Sequence, residues 1–188
     1  GMFSFWEEYD KLAKEKFKTV DDYLPLFVDK KLAFAPGSSF LYSNSGYMVL
    51  GLLIEKVSGQ NYFDFVKEHI YKPSKMINTD AYELDNAIPN LATGYTMSLE
   101  EPGQWKNNSF LNPTKGTPAG GGYSTVDDLL NFSNTLQNNI LLSKENTTLC
   151  TSGKVKFREG MYGYGFEETI INGHRIFGHT GGHDGVAS

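Results

Sequence analysis

The chain has 188 residues, enough for one domain with a real core, and an ordinary globular composition: 39% hydrophobic, 21% charged and 14% aromatic. A formal net charge of -5, with the only basic run (Lys11 to Lys18) broken by Glu15 and apolar residues, argues against a protein that binds a nucleic-acid backbone. The single cysteine, Cys150, has no internal disulfide partner and no obvious activating neighbour, so it reads as a packing residue, and no apolar run approaches the length of a transmembrane helix.

In chain order, "FWEEYDKLAKEKFK" (5–18) predicts an amphipathic helix. "TVDD" opens the next, with Thr19 as cap and Asp22 three residues on, the spacing of a capping box. A Pro36-Gly37 turn then leads through Tyr42-Ser43-Asn44 into "NSGYMVLGLLIEKVSG", a helix closed by Gly59. "NYFDFVKEHIYKP" predicts a helix from an Asn61 cap to a stop at Pro73. Residues 74 to 118 read as long irregular connections with a short strand at "ATGYTMS", and connections of that length usually serve a site. "GGGYSTVDDLLNFSNTLQNN" gives a Gly-rich loop and a helix capped by Ser124, and "LLSKENTTLCTSG" a short helix capped by Ser143. After Lys154 the β-formers dominate, and Asn172-Gly173 signals a hairpin. Helices come first and strands last, so the fold class is α+β, read as one domain over 1–188: a mainly helical and loop region, 1–153, followed by antiparallel strands, 154–188.

Three stretches bear on chemistry. Tyr42 and Asn44 lie two apart in what should be extended backbone, so their side chains point the same way. Taken alone, the tripeptide reads more readily as a helix cap, Ser43 or Asn44, beside a core tyrosine. "FGHTGGHDG" (177–185) puts His179 and Thr180 at a strand end before Gly181 and Gly182, where a ligand can approach the backbone closely. His179, His183 and Asp184 lack a recognised metal-ligand spacing, and no metal is assigned. "PAGGGYST" (118–125) has three glycines before a helix but neither the lysine nor the preceding strand of a phosphate loop, so it reads as a tight loop packed near another backbone.

The order of these segments resembles the serine β-lactamase-like family of class C β-lactamases, D-alanyl-D-alanine carboxypeptidases and related esterases. "FAPGSSFLYSNSGYMVLGLLIEKVSG" resembles its Pro-Gly, Tyr-x-Asn and Leu-Gly-rich helix, "PAGGGYSTVDDLLNF" its Gly-Gly-x-x-Ser-Thr-x-x-Asp-Leu segment, and "GHTGGHDGVAS" its Lys/His-Thr-Gly strand. The resemblance implies a β-lactamase/transpeptidase-like fold and acyl transfer through an acyl-serine. It implies that Tyr42 is the catalytic tyrosine, that Asn44 holds the substrate amide, and that His179 takes the place of the Lys or His. Thr180 would bind a substrate carboxylate, the N–H of Gly182 would face the oxyanion, and no cofactor is implied.

One departure shapes the functional expectation. The family nucleophile lies in Ser-x-x-Lys, and no serine of this chain has lysine three residues later. The resemblance therefore implies the middle of a larger fold, a serine hydrolase expected to be short at both ends, which would orient a β-lactam, D-Ala-D-Ala peptide or ester without forming the acyl intermediate. The competing expectation is a non-catalytic binding or regulatory protein on the same scaffold. With only two or three strands expected, residues 162–170 and 175–179 among them, the sheet edge would be covered by a second copy, giving a homo-oligomer. Localisation is left open.

Overall fold

The computed structural model describes residues 9, 11–81, 83, 86–98, 101–109, 111 and 113–188. The helix expected over 5–18 lies largely outside these. Tyr9 is helical, but residues 11–18 are not: they form a turn and a single 3-10 turn, Lys14–Lys16. Packing accounts for the difference. Phe17 turns inward to meet the rings of Tyr9 and Tyr23 at 5.0 and 4.9 Å, and these three with Val20 and Met48 form the buried core cluster. Aromatic burial outweighs a helical preference of a few tenths of a kcal/mol per residue. Asp22 does reach back as a capping-box carboxylate, accepting the N–H groups of Thr19 (2.7 Å) and Lys18 (2.9 Å), but it opens a 3-10 helix, Asp21–Leu26, that contains Pro25.

Helix α1 (Asn44–Ser58) forms as expected. The Ser43 hydroxyl accepts the Gly46 N–H at 2.7 Å, and Gly59 ends the helix in the left-handed conformation at φ 70°. α1 approaches the Gly-rich loop very closely, for a Cβ at Gly51 would lie 2.3 Å from Pro118 Cγ. Asn61 caps α2 (Tyr62–Val66), which widens into a π-helical turn over Lys67–Tyr71 before Pro73. The Glu55 carboxylate accepts the Tyr62 N–H at 2.8 Å and so ties α2 to α1.

The long connection contains more structure than the one strand expected. β1 (Asp80–Ala81) pairs with β4 (Gly122–Tyr123), and β2 (Tyr95–Met97) with β3 (Trp105–Asn107). Thr125, not Ser124, caps α3 (Val126–Gln137); the Ser124 hydroxyl is 2.8 Å from that of Thr79. The buried Asp128 of α3 anchors the chain before β1, accepting Asn78 N–H and Thr79 O–H, both at 2.7 Å. Ser143 caps α4 (Lys144–Thr151) as expected.

The C-terminal region carries a four-stranded antiparallel meander in the order β5 (Val155–Phe157), β6 (Gly160–Tyr162), β7 (Glu167–Ile171), β8 (His174–Gly178). Residues 163–166 turn the corner between β6 and β7, so the one long strand expected from Tyr162 does not form. Asn172 (φ 50°) and Gly173 (φ 78°) close the β7–β8 hairpin as the dipeptide predicts. At the β5–β6 turn a non-glycine, Arg158, adopts φ 50°. The last residues fold back on themselves, β9 (Gly182–His183) against β10 (Val186–Ala187), around Asp184-Gly185. Asn108, buried at the end of the β2–β3 hairpin, donates to the Asp184 carbonyl at 3.0 Å and holds this terminal loop in place.

Candidate active site

The N-terminal end of α1 packs on one face of the meander. Phe157, Tyr162 and Glu167 share that face because they lie at paired or alternate positions: Tyr162 opposes Glu167 on one side and Val155 on the other, and Phe157 is two residues from Val155. Tyr42 enters this face from the extended segment before Ser43. Its ring centroid is 5.9 Å from both Tyr162 and His179, 6.1 Å from Tyr47 and 6.2 Å from Phe157. The structure thus brings together Tyr42 and His179, which are 137 residues apart in the chain. Asn44 begins α1 half-buried, two residues from Tyr42, and among the described residues its amide makes no hydrogen bond. Thr180, Gly181 and Gly182 follow His179 on the exposed rim.

Sequence reasoning missed Tyr162 and Tyr47, and they organise the site. Tyr162 is 5% exposed; its hydroxyl lies 2.5 Å from that of Tyr47 and 2.9 Å from His179 Nε2. His179 Nδ1 is 2.6 Å from the Thr180 carbonyl oxygen. A carbonyl only accepts, so Nδ1 carries the proton. In neutral His179 the Nε2 then accepts the Tyr162 O–H, and the Tyr162 oxygen accepts the Tyr47 O–H. A chain of donors runs Tyr47, Tyr162, His179, Thr180 C=O, and it fixes the imidazole plane beside Tyr42.

Burial and neighbouring groups keep Tyr42 and Tyr162 protonated. Burial, the neighbouring Tyr47 and the Glu167 carboxylate push Tyr42 above the ordinary phenol range, and Arg158 offsets this only in part. Burial and the Tyr47 hydroxyl push Tyr162 up as well. With these neighbours Tyr42 is a hydrogen-bonding phenol at neutral pH, not a phenolate base.

The terminal hairpin presents a backbone donor. Gly181 and Ser188 exchange both backbone hydrogen bonds, at 2.9 and 2.8 Å. The next pair, Gly182 and Ala187, is therefore the non-hydrogen-bonded one, and the Gly182 N–H points away from β10. The Gly-rich loop lies elsewhere. Thr117 and Gly120 bond to each other across a tight turn (2.7 and 3.0 Å), beside a cleft of about 200 Å³ lined by Tyr62, Phe63, Tyr71 and Asp80. Among the described residues there is no group of three or more His, Cys, Asp or Glu side chains able to hold a metal, and no helix is long and apolar enough to cross a membrane.

A family profile described as "Beta-lactamase" matches residues 3–187. The chain belongs to the beta-lactamase family. Among curated relatives it is 34% identical over 131 residues to mouse "Serine beta-lactamase-like protein LACTB, mitochondrial", covering 70% of this chain and 23% of that one. It is 27% identical over 202 residues to Bacillus subtilis "Penicillin-binding protein 4*", covering 100% of this chain and 43% of the relative. Among solved structures, the penicillin-binding protein of Bacillus halodurans superposes with a TM-score of 0.90 at 26% identity, over 98% of this chain and 58% of that one. The octameric penicillin-binding protein homologue of Pyrococcus abyssi superposes at 0.83 and 26% identity, over 96% and 43%. The chain therefore spans less than half of the curated relatives it matches. In this chain Tyr42-Ser43-Asn44 and His179-Thr180-Gly181 meet where the N-terminal end of α1 packs on the meander.

Proposed function

We propose that this beta-lactamase-family chain carries the tyrosine–asparagine–histidine half of a serine acyl-transfer site and binds an acyl compound there without turning it over. The observation that carries this reading is the convergence of Tyr42 and His179 on one face of the meander, with Asn44 at the start of the same helix. Asn44 offers an amide that can both donate and accept to a substrate amide, Gly182 N–H is the oxyanion donor, and Thr180 faces the ligand from the rim. A single such donor is worth about 3 kcal/mol of transition-state stabilisation where a reaction occurs.

The chain's own serines near the site are poor nucleophiles. The Ser43 hydroxyl is occupied at the helix cap, and Ser45 is buried. Tyr42 lacks a cation that would make it a base, since Arg158 only offsets its acidic and phenolic neighbours. Incubation with a penicillin and, separately, with a fluorophosphonate probe should leave the intact mass unchanged. A stable adduct, mapped by digestion to Ser43 or Ser45, would refute the binding-only reading. We further propose that the chain self-associates, as the octameric penicillin-binding protein homologue of Pyrococcus abyssi suggests for a related fold. Light scattering showing a monomer at tens of micromolar would oppose that.

A further inference from the structure

Glu167 lies on the face that carries Tyr42 and Tyr162, directly opposite Tyr162. Its carboxylate Oε1 is 3.5 Å from the Thr180 hydroxyl, which donates to it, and 3.5 Å from Arg158 Nη1. The acid is the deeper partner: the Glu167 side chain is 27% exposed and that of Arg158 is 65% exposed. An ion pair at that distance and exposure is loose and screened, so Arg158 cancels the carboxylate only in part.

The space beside Glu167 is open. Its cross-strand neighbour on β8 is Gly178, on the same face. A Cβ at Gly178 would meet nothing within 4 Å, and the residue has no left-handed φ to require glycine. Glu167, the bare backbone of Gly178 and the Thr180 hydroxyl therefore border an unfilled patch next to His179 and Tyr42. A carboxylate placed on Thr180 would sit against the Glu167 charge. An ammonium there would be attracted to Glu167 and could donate to its carboxylate and to the Thr180 oxygen, whose own O–H is given to Glu167.

We infer that Glu167 sets ligand specificity at this cleft by selecting compounds with a free ammonium group, which lies over Gly178 between Glu167 and Thr180; the ligand class is amides or esters of amino acids with an unblocked amine, in place of carboxylate-terminated peptides. This rests on the half-site reading above and names its substrate class. Arg158 acts on the same charge from outside, as a positioning and attenuating partner of Glu167.

The test titrates the 188-residue chain with three probes while following the His179 and Tyr42 resonances: phenylalaninamide, N-acetylphenylalaninamide and N-acetylphenylalanine. The aromatic side chain suits the Tyr42, Phe157 and Tyr162 rings on this face. The free amine should bind about tenfold or more tightly than its acetylated counterpart, in line with a partly screened charge contact. Glu167→Gln should bring the two within about twofold of each other and leave the acetylated amide's affinity unchanged, while Gly178→Val should weaken all three probes. Arg158→Gln should widen the preference for the amine. Equal binding of amine and acetylated amide by the parent chain would overturn the inference and leave the half-site reading standing. Tightest binding by N-acetylphenylalanine, lost in Arg158→Gln, would overturn it in favour of carboxylate recognition. Absence of any shift at His179 and Tyr42 with all three would refute the half-site reading and the inference together. Circular dichroism of each variant separates these outcomes from misfolding.

Discussion

Replacing Tyr162 by Phe removes one oxygen and keeps the ring. The ring is held by Phe157 at 5.3 Å, His179 at 5.6 Å, Phe40 at 5.7 Å and Tyr42 at 5.9 Å, and phenylalanine preserves all four contacts. What disappears is the hydroxyl that accepts from Tyr47 and donates to His179. Each such bond contributes about 0.5–1.5 kcal/mol net, so the loss should be roughly 1–3 kcal/mol. In a chain of this size that lowers Tm by roughly 2–12 °C. Tyr162→Ala should cost more, about 3–5 kcal/mol, because it also empties the aromatic cluster. Urea denaturation measures both. Nitrogen-15 spectra of His179 supply the second readout: the parent should show the Nδ1–H tautomer, and Tyr162→Phe should release that preference. A Tyr162→Phe protein as stable as the parent, with an unchanged His179 tautomer, would refute the donor chain.

Gly51 should tolerate no side chain. A methyl there would lie 2.3 Å from Pro118 Cγ and 3.3 Å from Val20, so Gly51→Ala should destabilise by about 1–3 kcal/mol despite the better helix propensity of alanine, and denaturant midpoints will show the sign. Glu168 gives a pH dependence. The Arg175 guanidinium and the Gly153 N–H hold its carboxyl below the ordinary carboxylate range. A depressed folded pKa contributes stability that is present above the unfolded value of about 4.3 and is lost as pH falls through the folded one. Melting temperature should therefore fall with acidification below about pH 4, and Glu168→Gln should flatten that slope. An unaltered slope would remove Glu168 from the acid response.

Local signals carried most of the helices. Ser43, Gly59, Asn61, Ser143 and the Asn172-Gly173 turn act through hydrogen bonds or backbone preferences within four residues, and each stands where its neighbours require. The miss at residues 11–18 has the opposite origin, since Phe17 answers to Tyr23 and the core and not to its own helical period. The shift of the α3 cap from Ser124 to Thr125 follows from a contact to Thr79, 45 residues away. The same divide runs through the site. Tyr42, Asn44, His179, Thr180, Gly181 and Gly182 stood out because they lie in motifs. Tyr162 and Tyr47 did not, because their bond spans 115 residues and neither sits beside another chemically marked side chain. The cue at Tyr162 was its place in "YGYGF", just before a turn, which sequence reading took as ordinary strand.

Arg158 sits at φ 50° in the tight β5–β6 turn, a conformation that costs an ordinary residue about 1 kcal/mol and a glycine almost nothing. The cheapest route to a hardier protein at this turn is glycine or asparagine, and either one deletes the Arg158 cation that pairs with Glu167. Selection for thermal tolerance and selection on the charge of the cleft therefore pull this position in opposite directions. Variants recovered from a stability screen should drift in ligand preference through residue 158 while every side chain touching His179 stays as it is.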